Sequence, residues 1–149
     1  MKNVLLRLSL LPIVFASALS LSAQSGGAFE GKWVFNPDKS IFSPGPLPQS
    51  ETLTFTGDTL TVEGVSPSGR PFVYSFTAVP GKAVPVNGGQ DLTVDTKESG
   101  NTIEHIWSDH SGTSRGTGQI SEDGKTMRYV LIGSRWGNPV YEVSVFEKK

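Results

Sequence analysis

Two adjoining stretches of this 149-residue chain place catalytic residue types side by side. Asp109-His110-Ser111 contains the three side-chain types of a nucleophilic triad. Gly112-Thr113-Ser114-Arg115-Gly116 matches the Gly-x-Ser-x-Gly nucleophile elbow. Each would carry acyl-transfer chemistry, and each conflicts with its local setting. Neighbours on an extended chain point apart, so no relay forms within a tripeptide. An elbow needs a strand, a sharp turn and then a helix. Here the chain continues as Thr117-Gly118-Gln119-Ile120-Ser121, a strand-like run, so the segment reads as half of a hairpin. The two histidines, His105 and His110, stand beside Glu104 and Asp109. A preformed metal site needs three or four converging ligands. On a strand His105 and Asp109 lie about 13 Å apart; on a helix they would meet, so excluding a metal depends on the strand reading. Asp123-Gly124 lacks the alternating acidic ligands of a calcium loop and reads as a turn. No catalytic residue, metal or cofactor is assigned.

The remaining chemistry lies on alternating faces. Period-two patterning groups Leu53 with Phe55, Phe72 with Tyr74 and Phe76, and Leu92 with Val94. It also groups Ile103, His105 and Trp107, and then Met127, Tyr129 and Leu131. Tyr74, His105 and Tyr129 form a polar minority on these faces, joined by Arg115 from Thr113-Arg115-Thr117. Tyr74, Phe76, His105, Trp107, Arg115 and Tyr129 are therefore the expected ligand-binding set, orienting a ligand with an acidic or polar head. An ordinary histidine titrates near 6.5, so His105 is expected to make that contact pH-sensitive. The plainer alternative is structural: tyrosines at a barrel mouth and a satisfied core histidine.

The elements that must position these residues are strands. Runs rich in Thr, Val, Ile, Tyr and Phe are predicted near 29–36, 51–56, 59–65, 72–79, 91–98, 101–108, 114–121, 126–133 and 140–147. Turn residues separate them: Gly57-Asp58, Ser66-Pro67-Ser68-Gly69, Pro80-Gly81, Ser99-Gly100 and Glu122-Asp123-Gly124. Short connections pair sequence neighbours antiparallel, which gives an all-β barrel or sandwich. Asn36-Pro37-Asp38-Lys39-Ser40 resembles a helix start, with Asn36 as N-cap. The stretch 101–111 also fits helical spacing, but hairpin signals flank it and it is assigned as strand. Gly64, Ala78 and Gly133 fall on inward positions, as room for a ligand or as points of curvature.

The N-terminal segment reads as a cleaved export signal: Lys2 and Arg7, an apolar stretch over 8–21, and Leu21-Ser22-Ala23 before Gln24. Fourteen helical residues span about 21 Å, short of a bilayer core of about 30 Å. Residues 1–23 are thus a signal peptide and 24–149 a single domain, with a periplasmic or secreted location. There is no cysteine, which excludes a lipoprotein, thiol catalysis and disulfides. Cleavage removes two basic residues and no acidic one, leaving 11 Lys+Arg against 14 Asp+Glu. With no basic stripe, nucleic acid is not an expected partner. No membrane span remains after cleavage, and the oligomeric state stays open.

Phe29-Glu30-Gly31-Lys32-Trp33 on the first mature strand resembles the Gly-x-Trp signature that opens lipocalin-fold barrels. The resemblance implies an up-and-down antiparallel barrel of about eight or nine strands, of calycin type. It also implies a Trp33 that closes the barrel base beneath a late cation, either Lys148 or Arg135. The Thr-Asp-Tyr loop motif and the disulfide of that family are missing. Asn36-Pro37-Asp38-Lys39-Ser40, Phe42-Ser43-Pro44-Gly45-Pro46, Gly81-Lys82, Pro85-Val86 and Asp123-Gly124-Lys125-Thr126-Met127 resemble a group of small exported bacterial proteins without assigned function. Three functions are compatible with these residues: a barrel that binds a small apolar or amphipathic ligand, a packed interaction module, or an enzyme using His105 or His110 as acid–base.

Overall fold

The computed structural model describes residues 27–135 and 137–149. The expected signal segment, the Gln24 start and Trp136 lie outside them. Antiparallel strands build the domain: β1 (Gly31–Phe35), β2 (Ile41–Ser43), β3 (Ser50–Thr56), β4 (Thr59–Val65), β5 (Pro71–Thr77), β6 (Val84–Pro85), β7 (Thr93–Ser99), β8 (Thr102–Asp109), β9 (Gly112–Ile120), β10 (Thr126–Arg135) and β11 (Asn138–Lys148). The sheet order is β5-β4-β3-β1-β11-β10-β9-β8-β7-β6, with β2 on β11. Ser75 and Asn87 then exchange two backbone hydrogen bonds, 3.0 and 2.8 Å, which nearly close the sheet into a barrel. Among the described residues the count is eleven, where about eight or nine were expected. The additions, β2 and β6, have three and two residues, too short for alternation to register.

The first and last strands pair beside each other, with Trp33 opposite Lys148 on one side and Leu53 on the other. Trp33 is fully buried, and its indole N–H donates to Phe29 O at 2.7 Å. Lys148 Nζ lies 5.0 Å from the ring centroid and is the cation over Trp33. Arg135, the other candidate, lines the barrel interior instead. The remaining core is the inward set of the strands, including Phe29, Phe55, Val62, Met127, Leu131 and Phe146.

Residues 101–111 form β8 and its turn, so the strand assignment holds there. The helix start at Asn36 becomes one turn of 3-10 helix, Pro37–Lys39, and Asn36 makes no side-chain cap. Its amide donates instead to Glu147 Oε1 at 2.9 Å. Ser40 Oγ donates to Asn36 O (2.7 Å) and accepts the Val145 N–H (2.9 Å), so this segment is clipped to β11. The Gly-x-Ser-x-Gly stretch lies within β9, with Ser114 buried on the inner face. Asp109 Oδ1 accepts the Ser111 N–H and Oγ–H at 2.7 and 2.6 Å, a side-chain turn that shapes the β8–β9 hairpin and leaves His110 exposed.

Candidate binding site in the barrel

Strict alternation on β5, β8 and β10 turns Phe72, Tyr74 and Phe76, then Ile103, His105 and Trp107, then Met127, Tyr129 and Leu131 toward one interior. The rings meet at its centre. Phe76 stands edge-on to both His105 and Trp107, with centroids 5.6 Å away in each case. His105 lies 5.3 Å from Trp107 and 5.8 Å from Tyr129, and Tyr74 meets Trp107 edge-on at 6.2 Å. These are the separations at which aromatic quadrupoles attract.

Tyr129 ties the cluster together. Its hydroxyl accepts the Trp107 indole N–H at 2.9 Å and sits 3.1 Å from His105 Nδ1. The ring has room because its neighbours on β9 are glycines. A Cβ at Gly116 would stand 1.7 Å from the Tyr129 hydroxyl oxygen, and one at Gly118 would stand 2.8 Å from Ile103 Cγ2. Burial holds His105 down to about 4, so its imidazole is neutral near pH 7. The expectation of a histidine titrating near 6.5 is therefore corrected: His105 keeps one charge state between pH 5.5 and 7.5.

The interior also carries charge at one end. Glu51, Arg135 and Glu142 line it beside Tyr74 and Tyr129. Burial, then the charge of Glu142, pushes the Glu51 carboxyl up to about 8, with Arg135 opposing. Burial also raises Tyr74 and Tyr129, which stay protonated as hydrogen-bond donors. Glu142 accepts a hydrogen bond from Ser144 Oγ. These three charged residues lie one step beyond the apolar runs: Glu51 precedes Leu53 and Phe55, Arg135 follows Leu131 and Gly133, and Glu142 precedes Ser144 and Phe146. Extending the alternation by two residues from Leu53 reaches Glu51, and by four residues reaches Arg135 from Leu131 and Glu142 from Phe146.

Five of the six expected residues, Tyr74, Phe76, His105, Trp107 and Tyr129, line this interior or its openings. Arg115 does not. It is exposed on the outer face of β9 and pairs with Glu104 at 3.5 Å. The inner face of that strand is Ser114, Gly116, Gly118 and Ile120, all buried.

Three spaces adjoin one another. The central cavity is only about 70 Å³. It shares Glu51, Tyr74, Trp107 and Arg135 with a mouth of about 560 Å³, which Phe72, Leu92 and Pro48 also line. On the other side it shares Phe55, Leu60, Ile103 and His105 with a slot of about 460 Å³. Gly64 and Gly133, expected as room, mark close backbone approaches. A Cβ at Gly64 would stand 2.3 Å from Ser50 O, and one at Gly133 would stand 2.6 Å from Thr113 O. Gly133 also has φ +143, a conformation that side chains rarely adopt.

No protein-family model matches the chain, and no curated protein matches its sequence. Solved structures do match in fold. A single-residue mutant of the fluorescent protein UnaG is 15% identical over 82% of this chain and 96% of its own, with a TM-score of 0.52. Wild-type UnaG is 13% identical over 81% and 97%, with a TM-score of 0.50. A zebrafish ileal bile acid-binding protein complexed with cholic acid is 15% identical over 83% and 100%, at 0.49. What this chain shares with the UnaG structures is the fold: a small antiparallel β-barrel, with almost no helix among the described residues.

Proposed function

We propose that this chain is an exported binding protein, periplasmic or secreted, that seats one small apolar or amphipathic molecule in the barrel. The observation that carries the reading is the mouth of about 560 Å³ running onto the aromatic centre at Tyr74 and Trp107. A concave, largely apolar space with a few convergent polar groups is what a small ligand needs, and this volume lies in the usual range of about 300–1,000 Å³. The centre alone, at about 70 Å³, is too small, so the ligand body rests against Phe72, Leu92 and the edge of Trp107. The reading gives no residue a catalytic role: Asp109, His110 and Ser111 belong to a turn, and His105 is buried and bonded to Tyr129.

Fluorescence titration tests it. A long-chain fatty acid or an apolar dye gives saturable changes that disappear in Trp107→Phe and persist in Trp136→Phe. Absence of saturation by any apolar probe, with the protein folded, defeats the reading. The crowded centre would then favour the second one, a packed barrel whose loops 66–71 and 135–139 contact a protein partner.

A further inference from the structure

Strands β5 and β7 do not pair with each other. The chain between them bridges the gap: Val84 pairs with Val94, and Asn87 bonds Ser75. Beyond that link residues 79–82 close on themselves, the Lys82 N–H donating to Val79 O at 3.1 Å. Between Phe76 and Ala78 on one side and Thr96 and Glu98 on the other lies the slot of about 460 Å³, reaching in to His105.

Two buried polar atoms at this slot have no hydrogen-bond partner among the described residues: His105 Nε2 and Thr96 Oγ1. His105 is 2% exposed. Thr96 and His105 are register partners on β7 and β8, so their Cβ atoms stand about 5 Å apart on one face. The Trp107 indole can only donate, so Tyr129 Oη accepts there, and its own hydrogen is free to turn toward His105 Nδ1. Nδ1 is then the acceptor, and the neutral ring carries its proton on Nε2. Buried at the inner wall of the slot, an N–H and a hydroxyl then stand on one face, both able to donate to one oxygen.

The rim selects the charge of that oxygen. Asp58, Asp95 and Glu98 line the slot against the single cation Lys97, which is exposed. Burial, then the neighbouring Asp58, raises the Glu98 carboxyl, so negative charge is already disfavoured here. We propose that the slot seats the ligand's head group, and that the head is an uncharged oxygen acceptor (an alcohol, ketone or ester) held by His105 Nε2 and Thr96 Oγ1. This rests on the binding-protein reading and narrows the expected acidic or polar head to a neutral one. From there the apolar remainder runs past Phe76 through the central cavity to the mouth at Trp107, which requires the rings between them to move apart.

The test compares 1-decanol with decanoate at pH 7.5, reading Trp107 fluorescence and the ¹⁵N signals of the His105 ring. Decanol should bind saturably and move the Nε2 signal, and it should bind about tenfold or more tightly than decanoate. Thr96→Val should weaken decanol about 3–10-fold, the worth of one neutral hydrogen bond, and Thr96→Ser should restore it. Saturable Trp107 quenching with an unmoved His105 signal and unchanged affinity in Thr96→Val overturns the head-group assignment and leaves the mouth reading standing. So does decanoate binding as tightly as decanol. No saturable response to either probe overturns both.

Discussion

Tyr129 occupies its place because Gly116 has no side chain. The hydroxyl joins Trp107 and His105 across two strands, so the cluster depends on a glycine that contributes no contact of its own. Gly116→Ala must displace the phenol and should cost about 1–3 kcal/mol by overpacking. Tyr129→Phe keeps the shape but strands the Trp107 N–H and His105 Nδ1, and should cost about 1–3 kcal/mol. Urea unfolding of both variants checks this, and in each the Trp107 emission should shift. Glu51 gives a pH signature. Its ordinary value is 4.5 and burial takes it to about 8, so between those values the folded chain holds a proton that the unfolded chain has lost. Stability therefore falls as pH rises from 4.5 through 8. His105 works in the other direction: with 6.5 lowered to about 4, stability falls as pH drops from 6.5 through 4. Glu51→Gln should stabilise the protein at pH 8 and change little at pH 4, measured by urea unfolding at both. An equal effect at the two values would remove the buried-carboxyl assignment.

At the scale of elements, alternation is the legible signal. Runs such as Ile103-Glu104-His105-Ile106-Trp107 and Met127-Arg128-Tyr129-Val130-Leu131 expose their inner face by period two, and the structure follows them. The short strands β2 and β6 are not legible, because two or three residues beside prolines carry no period. Arg115 is misplaced by the pattern for a related reason. Its strand has almost no apolar residue before Ile120, so neither face declares itself, and the inner one is marked by glycines whose role depends on Tyr129 from another strand. Glu51, Arg135 and Glu142 escape because charge at an inward position reads as the end of a run. The clip between residues 36–40 and β11 is likewise invisible, since Ser40 acts on Val145, far along the chain. That clip separates buried from exposed bonding. Ser40→Ala should cost about 1 kcal/mol by freeing the Val145 N–H, whereas Lys39→Ala, losing an exposed 3.1 Å pair with Glu147, should cost clearly less because solvent screens the pair. Thermal unfolding of the two variants decides it, and equal losses would contradict the assigned bonding.

Over the whole molecule, one residue anchors the seam where the first and last strands pair. Trp33 lies between β3 and β11, capped by Lys148, and is fully buried. Truncating it to Ala should cost about 3–5 kcal/mol, a large share of the stability of a domain this size. The same barrel keeps openings on both sides of a crowded aromatic centre, and the proposed function rests on those openings. Native mass spectrometry of the protein purified from its own host addresses that claim most directly. The expected result is a chain beginning at Gln24 that carries one small molecule, lost on collisional activation and absent from Trp107→Ala that remains folded. A bare mass from the host, and no 1:1 adduct after incubation with 1-decanol or a long-chain fatty acid, would contradict it.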